Sequence, residues 1–579
     1  MNGFGGIVGY GANASAQFIE NMHDALKNRG TDTFGTYISQ DLCLIHTGRE
    51  SRQPLRAVLG QKAYVIAFDG ELYNKEELKK ELSVLGHRFQ DNSCAAVALY
   101  SYMAWGQPCV ERFNGVFAFV IWDNDRLFAA RDRLGIKPLY YSNGDFGLVF
   151  ASTIKAVLSY EKIEPILTES SIAELILLGP GHSPGCGIFK NIKELAPGEC
   201  FYYKNGTIET KTYWRLKAKI HQDNFAQTVE TIRHLLSDAI QRQTNGNEAV
   251  LLSGGLDSSA VCALSRLRNT FSLDFVGSKN NDETDEHFVD IVVRHLGTTH
   301  KKIVLGSDEL ADALADAVAA RGFPGMADID ASLLLFLRHI GERHSTVLTG
   351  DGADEIFGGY PWCQSEEIPS TFPWAQNVDY RASFIKPGLV KHPREYVQSR
   401  FANALASANT LYDDDKTEKQ ARQMFNMNLG WFMQTLASRT DSMAAAAKVN
   451  ARTPFLDYRL VEYMYNVPWE FKNYGGREKG LLREVLKGTL PEAIIERKKS
   501  PFPKTHNPGY LNRVQDMLKV VLNDHTAPIF SVVSKNALSK LVENDTSNTN
   551  WYGQLMAYPQ TIAYFLQINE WLKTLGIKM

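Results

Sequence analysis

The sequence predicts an α/β protein with two domains, because the hydrophobic pattern changes once along the chain. Up to about residue 210, short runs of alternating hydrophobicity are broken by Gly and Asn, which is typical of strands in layered sheets. From about residue 225, long amphipathic helical patterns alternate with short β-branched runs, which indicates a doubly wound parallel sheet. The polar segment at 205–224 separates the two patterns, so we predict domains at 1–210 and 225–579.

The first domain is predicted to contain strands and helices in layers. The runs at 63–68 and 116–122 indicate strands, whereas helical patterns cover 15–28, 75–85 and 94–105. The helix at 75–85 carries Lys and Glu on its solvent side. This mixture predicts an α+β or layered αββα domain.

The second domain is predicted to start with parallel strands. The β-branched runs at 249–252, 271–275, 302–305 and 345–348 alternate with helical segments, which is the order of a doubly wound sheet. From about residue 410 onward the pattern is mostly helical, and no fresh series of strands is predicted.

Composition and charge narrow the range of partners. The 579 residues include 62 Lys and Arg against 65 Asp and Glu, a formal net charge of −3, so no basic field indicates nucleic acid or an anionic membrane. No stretch approaches the ~18 apolar residues of a membrane span, and the first ten residues lack the features of a leader. Seven scattered Cys without a CxxC pair fit a reducing compartment. We therefore expect a cytoplasmic protein that binds small molecules.

The sharpest local motif is Leu-Leu-Ser-Gly-Gly-Leu-Asp-Ser-Ser at 251–259, where a strand enters a helix. Its glycines let the backbone approach an anion, and the following helix offers N–H groups and its positive dipole end. The hydroxyls of Ser253, Ser258 and Ser259 add donors. The carboxylate of Asp257 suits Mg²⁺ bound to pyrophosphate. The alternative is a tight strand-to-helix turn without a ligand.

A second Gly-rich turn at 348–360 carries three carboxylates in Leu-Thr-Gly-Asp-Gly-Ala-Asp-Glu-Ile-Phe-Gly-Gly-Tyr. Turns at the carboxyl ends of parallel strands open into one crevice, so this turn is predicted to face the first motif. Asp257 and Asp354 are then predicted to share a metal. The alternative is a cluster of turn and capping residues.

The first motif resembles that of ATP pyrophosphatases, which split ATP into AMP and pyrophosphate, and the whole chain resembles glutamine-dependent asparagine synthetase. The supporting motifs lie in both halves, at 29–32, 70–74, 114–119, 131–141, 324–330, 452–459, 479–483 and 497–502. The resemblance implies an N-terminal Ntn-hydrolase-like αββα sandwich. It also implies a C-terminal doubly wound parallel-sheet PP-loop domain with a helical C-terminal part.

The resemblance further implies ATP and Mg²⁺ as cofactors and assigns roles to individual residues. Asp257 and Asp354 would hold Mg²⁺. Lys499 matches the lysine that balances charge on pyrophosphate and on the tetrahedral intermediate, with a solvated lysine as the alternative. The ATP-binding residues would be Leu252, Ser253, Gly254, Gly255, Asp257, Ser258, Ser259 and Gly350.

The substrate end of the predicted site departs from the family at one position. Asparagine synthetases usually carry Glu where this chain has Asp351, and β-lactam synthetases carry Tyr. Asp351 is predicted to act as a base or to orient an amine, although its reach is one methylene shorter. Glu355 and Asp330 are candidates for holding an amine, with turn capping as the alternative. Tyr360 is a candidate for substrate binding.

The first domain differs from the family's glutaminase domain at more positions. The family's nucleophilic Cys, which begins the mature chain, is replaced by Gly5 with four residues ahead of it. Asp69 stands where the family has an oxyanion-hole Asn, and Cys94 where it has the Asp that holds the glutamine amine. The expected Arg two residues after His46 is Gly48, and Arg49 fits only with a shift of one residue. We therefore predict that glutamine hydrolysis is lost and that this domain is a scaffold.

These features together favour a β-lactam synthetase, in which an amine of the substrate closes a ring onto its own acyl adenylate. High effective molarity would replace the ammonia supply. An amino-acid-like substrate is expected, of the tabtoxinine type, in antibiotic or toxin biosynthesis. The alternatives are an ammonia-dependent asparagine synthetase, a peptide macrolactam cyclase and a non-catalytic nucleotide sensor. The sequence leaves the oligomeric state open, a homodimer included.

Overall fold

The computed structural model describes residues 2–9, 15–49, 52–89, 91–277, 284–365, 367–500, 505, 507–543 and 550–577. Pro501 and Phe502 of the motif at 497–502 lie outside the described residues. The chain divides into two compact units. The first comprises residues up to Thr168 and Ser183–Arg215, and the second comprises Glu169–His182 and Leu216–Gly576.

The first unit is a sandwich of two six-stranded sheets. One sheet has the order β10-β8-β9-β1-β3-β2 and the other β12-β11-β7-β6-β5-β4. Their strands are β1 (Asn2–Val8), β2 (Thr33–Ile38), β3 (Leu42–Gly48), β4 (Leu55–Leu59), β5 (Lys62–Leu72), β6 (Gly115–Asp123), β7 (Arg126–Arg131), β8 (Tyr140–Gly144), β9 (Gly147–Ala151), β10 (Lys193–Glu194), β11 (Glu199–Lys204) and β12 (Thr207–Thr212).

Alternation along β5 shows how this sandwich is filled. Val65 and Ala67 pack into the apolar core between the two sheets, whereas Ile66 and Phe68 pack into the core beneath the helices. Successive side chains of a strand point to opposite faces, so one strand serves two apolar layers. The helices of the unit are α1 (Ala16–Leu26), α2 (Lys75–Val84), α3 (Cys94–Trp105), α4 (Cys109–Arg112) and α5 (Ile154–Val157). The predicted αββα architecture is confirmed.

The second unit contains a five-stranded parallel sheet of order β15-β14-β13-β16-β17. Its strands are β13 (Ala249–Leu251), β14 (Asn269–Phe275), β15 (Thr299–Leu305), β16 (Thr346–Leu348) and β17 (Asn450–Arg452). Four of them coincide with the predicted runs. The fifth, β17, was not predicted because Asn-Ala-Arg has neither β-branched residues nor alternation.

Helices cover the sheet and make up the C-terminal part, as predicted. They are α6 (Glu169–Ala173), α7 (Phe225–Arg242), α8 (Leu256–Ser265), α9 (Asp285–Leu296), α10 (Ser307–Asp312), α11 (Leu314–Arg321), α12 (Asp328–Gly341), α13 (Ala353–Phe357), α14 (Val378–Ala382), α15 (Pro393–Ala406), α16 (Lys416–Met427), α17 (Met433–Ala446), α18 (Tyr458–Asn466), α19 (Trp469–Lys472), α20 (Gly480–Leu486), α21 (Glu492–Ile495), α22 (Pro508–Asn523), α23 (Lys535–Glu543) and α24 (Tyr558–Leu575). No helix in the described ranges has the length and apolar character that crossing a membrane requires.

The segment Glu169–His182 joins the second unit although it precedes the last strands of the first. Its π-helical turn Glu174–Leu178 is buried, and the Tyr564 hydroxyl of α24 donates to the Leu175 carbonyl at 2.7 Å. The sequence carries no change in composition at either end of this segment, so the domain boundary was placed only after it.

Candidate active site

The loop between β13 and α8 is shaped by its own hydroxyls. Ser253 and Ser258 Oγ atoms lie 3.0 Å apart, and the Ser253 N–H donates to Ser258 Oγ at 3.1 Å. Gly254 has a φ of +71°, and a Cβ at this position would lie 2.7 Å from the Val289 nitrogen of α9. Only glycine fits there, so the loop can pack closely against α9.

The acidic turn between β16 and α13 lies directly against this loop. A Cβ on Gly350 would lie 3.0 Å from the Asp257 Cβ and from the Ser258 nitrogen. Because β13 and β16 are adjacent and parallel, both turns leave the sheet at the same edge. The predicted convergence of the two motifs is therefore present.

Two lysines lie between the carboxylates of the two turns. Lys479 Nζ lies 2.5 Å from Asp257 Oδ2 and 2.5 Å from Asp354 Oδ1. Lys499 Nζ lies 2.6 Å from Asp354 Oδ2. Burial alone would raise the pKa of Asp354, but the two ammonium groups outweigh it and hold that pKa well below its usual value. Asp354 is therefore ionised beside the two lysines, whereas burial raises the pKa of Asp257 despite its contact with Lys479.

The carboxylates suit a hard divalent cation that arrives with phosphate. Asp257 Oδ1 is buried and has no hydrogen-bond partner among the described residues. Within those residues, no group of three or more His, Cys, Asp or Glu can hold a metal alone. Mg²⁺ usually binds through one or two carboxylates plus substrate phosphates, so Asp257 and Asp354 fit that role.

The segment that carries Lys499 is anchored by Arg483. The Arg483 guanidinium donates to the Ile495 and Arg497 carbonyls and, at 2.6 Å, to Glu478 Oε1. The Lys499 N–H donates to the same Glu478 oxygen at 3.3 Å. Lys479 directly follows Glu478, so one ion pair fixes the backbone next to both lysines.

A cavity of about 490 Å³ extends from the loop between β13 and α8 to the aromatic side chains of Tyr360, Trp362 and Phe432. Of the predicted ATP-binding residues, six line it: Leu252, Ser253, Gly255, Asp257, Ser258 and Gly350. Gly254 and Ser259 do not line it; Gly254 faces α9, and Ser259 is fully buried. Lys479 and Arg497 also line it. Both belong to quoted motifs, but the sequence did not indicate that their charges enter the site.

Glu355 and Tyr360, two of the predicted site residues, also line the cavity. The Tyr360 hydroxyl donates to Glu355 Oε1 at 2.6 Å, and Lys499 Nζ lies 4.9 Å from the centre of the Tyr360 ring. Tyr360 stacks on Trp362 with ring centres 4.5 Å apart. Burial, reinforced by the charge of Asp354, raises the pKa of Glu355 to about 7. Lys499 therefore lies between the carboxylate of Asp354 and the ring of Tyr360.

Asp330 is not brought to the cavity. Its Oδ2 accepts from Arg321 Nη1 at 2.8 Å, and both side chains are at most 1% exposed. Arg321 also donates to the Pro180 and Thr435 carbonyls at 3.3 Å. The prediction that Asp330 holds a substrate amine is not supported, because its carboxylate, in the first turn of α12, is paired with the buried Arg321 at the end of α11.

Replacing Asp330 by Asn is expected to lower the free energy of unfolding of the second unit by about 3–5 kcal/mol, because Arg321 would remain buried without its counter-ion. Urea denaturation followed by circular dichroism measures this. The matched control is Asp316→Asn, which breaks an exposed pair with Arg338 and should cost about 1 kcal/mol or less. Equal effects of the two variants would contradict this role of Asp330.

In the first unit, Gly5, the predicted position of the lost nucleophile, is enclosed by neighbouring residues. Gly5 lies in the middle of β1, paired with Ile45 and Ala151. A Cβ at Gly5 would lie 2.6 Å from the Met22 sulfur, closer than side chains approach each other. The residues ahead of Gly5 continue β1, and Phe4 is fully buried. A side chain at this position would require Met22 to shift, and it would have no free α-amine beside it because residues 2–4 precede it in β1.

Asp69 is neutralised by the chain itself. Arg29 Nη2 lies 2.7 Å from Asp69 Oδ2, with both side chains at most 3% exposed. The Asn2 N–H donates to Asp69 Oδ1 at 3.2 Å, and Arg29 Nε donates to the Asn2 carbonyl at 3.1 Å. A side chain at Gly48 would collide with the Asn2 amide. Two of the predicted lost positions, Asp69 and Gly48, therefore lie against Asn2, three residues before Gly5 in β1.

Cys94 is the first residue of α3, next to the capping Ser93. Its sulfur accepts the Leu72 N–H at 3.3 Å. It offers no carboxylate for a ligand amine, as predicted from the sequence.

Introducing Cys at position 5 is expected to leave glutamine unhydrolysed, because Met22, Asp69 and Cys94 all remain. Glutamate release, measured by mass spectrometry, should equal that of the unmodified protein. Gly5→Ser is the control for the added bulk, and thiol labelling verifies the new Cys. Glutamate released by the Cys variant alone would contradict the predicted loss.

Comparison with known proteins identifies two family models on the chain. "Asparagine synthase" matches residues 231–573 and "Glutamine amidotransferase domain" matches residues 1–214. Asparagine synthetase [glutamine-hydrolyzing] 3 of Bacillus subtilis is 37% identical, over 97% of this chain and 96% of its own. Asparagine synthetases 1 and 2 of the same organism are each 26% identical, over 91% and 95% of this chain and 90% and 79% of theirs.

Proposed function

The chain belongs to the asparagine synthase family of ATP-dependent C–N ligases, which release AMP and pyrophosphate, and from this premise we propose that it forms a β-lactam without hydrolysing glutamine. The substrate carboxylate is adenylated, and an amine on the β-carbon of the same molecule then attacks the acyl carbon. The four-membered ring closes as AMP leaves. The single observation that carries the proposal is that Asp69 and Gly48, which stand at the predicted oxyanion and arginine positions, both contact Asn2, a residue with no thiol to act as nucleophile.

Different residues of the second unit bind phosphate, hold the metal and stabilise developing negative charge. Hydroxyl and N–H groups of the loop at 253–259 bind phosphate oxygens, and Asp257 with Asp354 would hold Mg²⁺. When bound, the metal neutralises phosphate charge and orients the phosphoryl groups. Lys499 keeps a positive charge beside the reacting phosphate and acyl groups, where negative charge develops.

The first unit supports an internal source of nitrogen. Without a thiolate at position 5, no ammonia is produced from glutamine. Asp69, paired with Arg29, also offers a carboxylate where an oxyanion hole needs a hydrogen-bond donor. A nitrogen that is part of the substrate reaches the acyl carbon at high effective molarity, so ring closure needs no ammonia supply.

Ammonia-dependent asparagine synthesis is the second candidate. Its support is the 37% identity to a named asparagine synthetase over 97% of the chain, whereas the replacement of the family's Glu by Asp351 counts against it. The two candidates differ in the acid they activate and in the need for ammonium.

The proposal is tested by substrate-dependent exchange of pyrophosphate into ATP, which reports adenylation alone. The acids compared are β-alanine, 2,3-diaminopropionate and aspartate, each with and without ammonium. We expect exchange with acids that carry a β-amine, and a product that has lost one water by mass spectrometry. Asparagine formed from aspartate and ammonium, with stoichiometric AMP, would favour the second candidate and overturn ring closure.

A further inference from the structure

Thr440 holds the carboxylate of Asp351 against helix α17. The Thr440 hydroxyl donates to Asp351 Oδ2 at 2.8 Å, and the Asp351 N–H donates to Thr349 Oγ1 at 3.2 Å. Thr440 is 4% exposed, and all three residues line the cavity. The carboxylate is therefore fixed at both its side chain and its backbone.

The direction of this hydrogen bond is unusual for its position. A buried Thr within a helix commonly donates back to the carbonyl four residues earlier. A hydroxyl has one proton to donate, and here it goes to a carboxylate on another element. The hydroxyl is thus committed to Asp351 and not to the helix.

The second oxygen of Asp351 remains available. No described residue donates a hydrogen bond to Asp351 Oδ1, and Asp351 forms no ion pair with a described basic side chain. The neighbouring carboxylates differ, because Asp354 is paired with Lys479 and Lys499, and Glu355 accepts from Tyr360. An ionised carboxylate accepts several hydrogen bonds, so Oδ1 suits an amine at the substrate end.

We propose that Thr440 is a positioning residue that presents Asp351 Oδ1 to an amine of the acyl substrate, which selects acids carrying a second amino group. The inference rests on the proposed function and deepens it, because it names the group that recognises the amine. Asp351 is shorter than Glu by one methylene, and its hydrogen bond to Thr440 keeps its carboxylate close to α17. The space in front of it is then available to the substrate's own amine.

Calorimetric titration of the full chain tests the inference without turnover. The ligands are 2,3-diaminopropionate and alanine, which differ by one amine, in the presence of Mg²⁺ and an ATP analogue with a methylene bridge between its α and β phosphorus atoms. Thr440→Val should weaken binding of 2,3-diaminopropionate about tenfold or more, and that of alanine less than about twofold. Thr440→Ser, which keeps the hydroxyl, should restore the affinity for 2,3-diaminopropionate.

Thr435→Val is the matched control, because Thr435 lies on the same helix and its hydroxyl bonds Tyr552 at 3.0 Å. Its preference for the diamino acid should equal that of the unmodified protein. Equal loss of both ligands in Thr440→Val, or no preference for the diamino acid in the unmodified protein, would overturn the inference. The expected affinity pattern without any pyrophosphate exchange would overturn the proposed function alone.

Discussion

Replacing Lys499 by Met is expected to abolish amide formation while ATP still binds. The ammonium lies 2.6 Å from Asp354 and faces the Tyr360 ring, between the phosphate and substrate ends. Its charge matters most where negative charge develops during reaction. Removal of one such group typically lowers kcat by about 10²- to 10³-fold. Quenched-flow measurement of AMP and product, with ATP affinity from equilibrium dialysis, checks both parts.

The matched control is Lys487→Met, which removes the same charge from an exposed lysine that does not line the cavity. If Lys499 were only a member of a solvated basic run, the two variants would behave alike. Turnover retained in Lys499→Met would remove this residue from the mechanism.

Replacing Asp257 by Asn is expected to remove Mg²⁺-dependent ATP turnover, with a loss of the same order as that of an electrostatic catalytic group, about 10²-fold or more. The variant loses the carboxylate that contacts Lys479 and whose Oδ1 has no described partner. An amide is a weaker ligand for a hard cation than a carboxylate. Kinetics as a function of Mg²⁺ concentration measure the effect.

Asp290→Asn is the control for Asp257→Asn, since it neutralises an exposed carboxylate on α9. Unchanged dependence on Mg²⁺ in Asp257→Asn would refute the metal role. Circular dichroism should show that both variants fold, so that lost activity reports the site.

The periodicity of the chain was sufficient to predict most of the fold. A continuous apolar run predicts a strand that faces two apolar layers, as in β5, and four strands of the second unit coincide with the runs at 249–252, 271–275, 302–305 and 345–348. Strand β17 was not predicted because its residues have no strand preference. It is a strand because it pairs with β16.

The candidate site was predictable where one contiguous motif forms the local structure, as at 251–259. Lys479 was missed because its partners are brought to it by the fold; Asp257 lies 222 residues away in sequence. Asp330 was misassigned for the opposite reason. A carboxylate in a Gly-rich motif suggests a ligand, yet nothing in the local sequence reveals that Arg321 turns toward it.

The ion cluster of Lys479, Lys499, Asp257 and Asp354 also bears on how the protein is handled. A site built from carboxylates alone would repel itself whenever the metal is absent, and folding would then depend on the metal. Here the lysines supply the counter-charge beforehand, so chelation should leave the melting temperature unchanged. The protein can therefore be purified and stored in EDTA, and adding Mg²⁺ without nucleotide should release little heat.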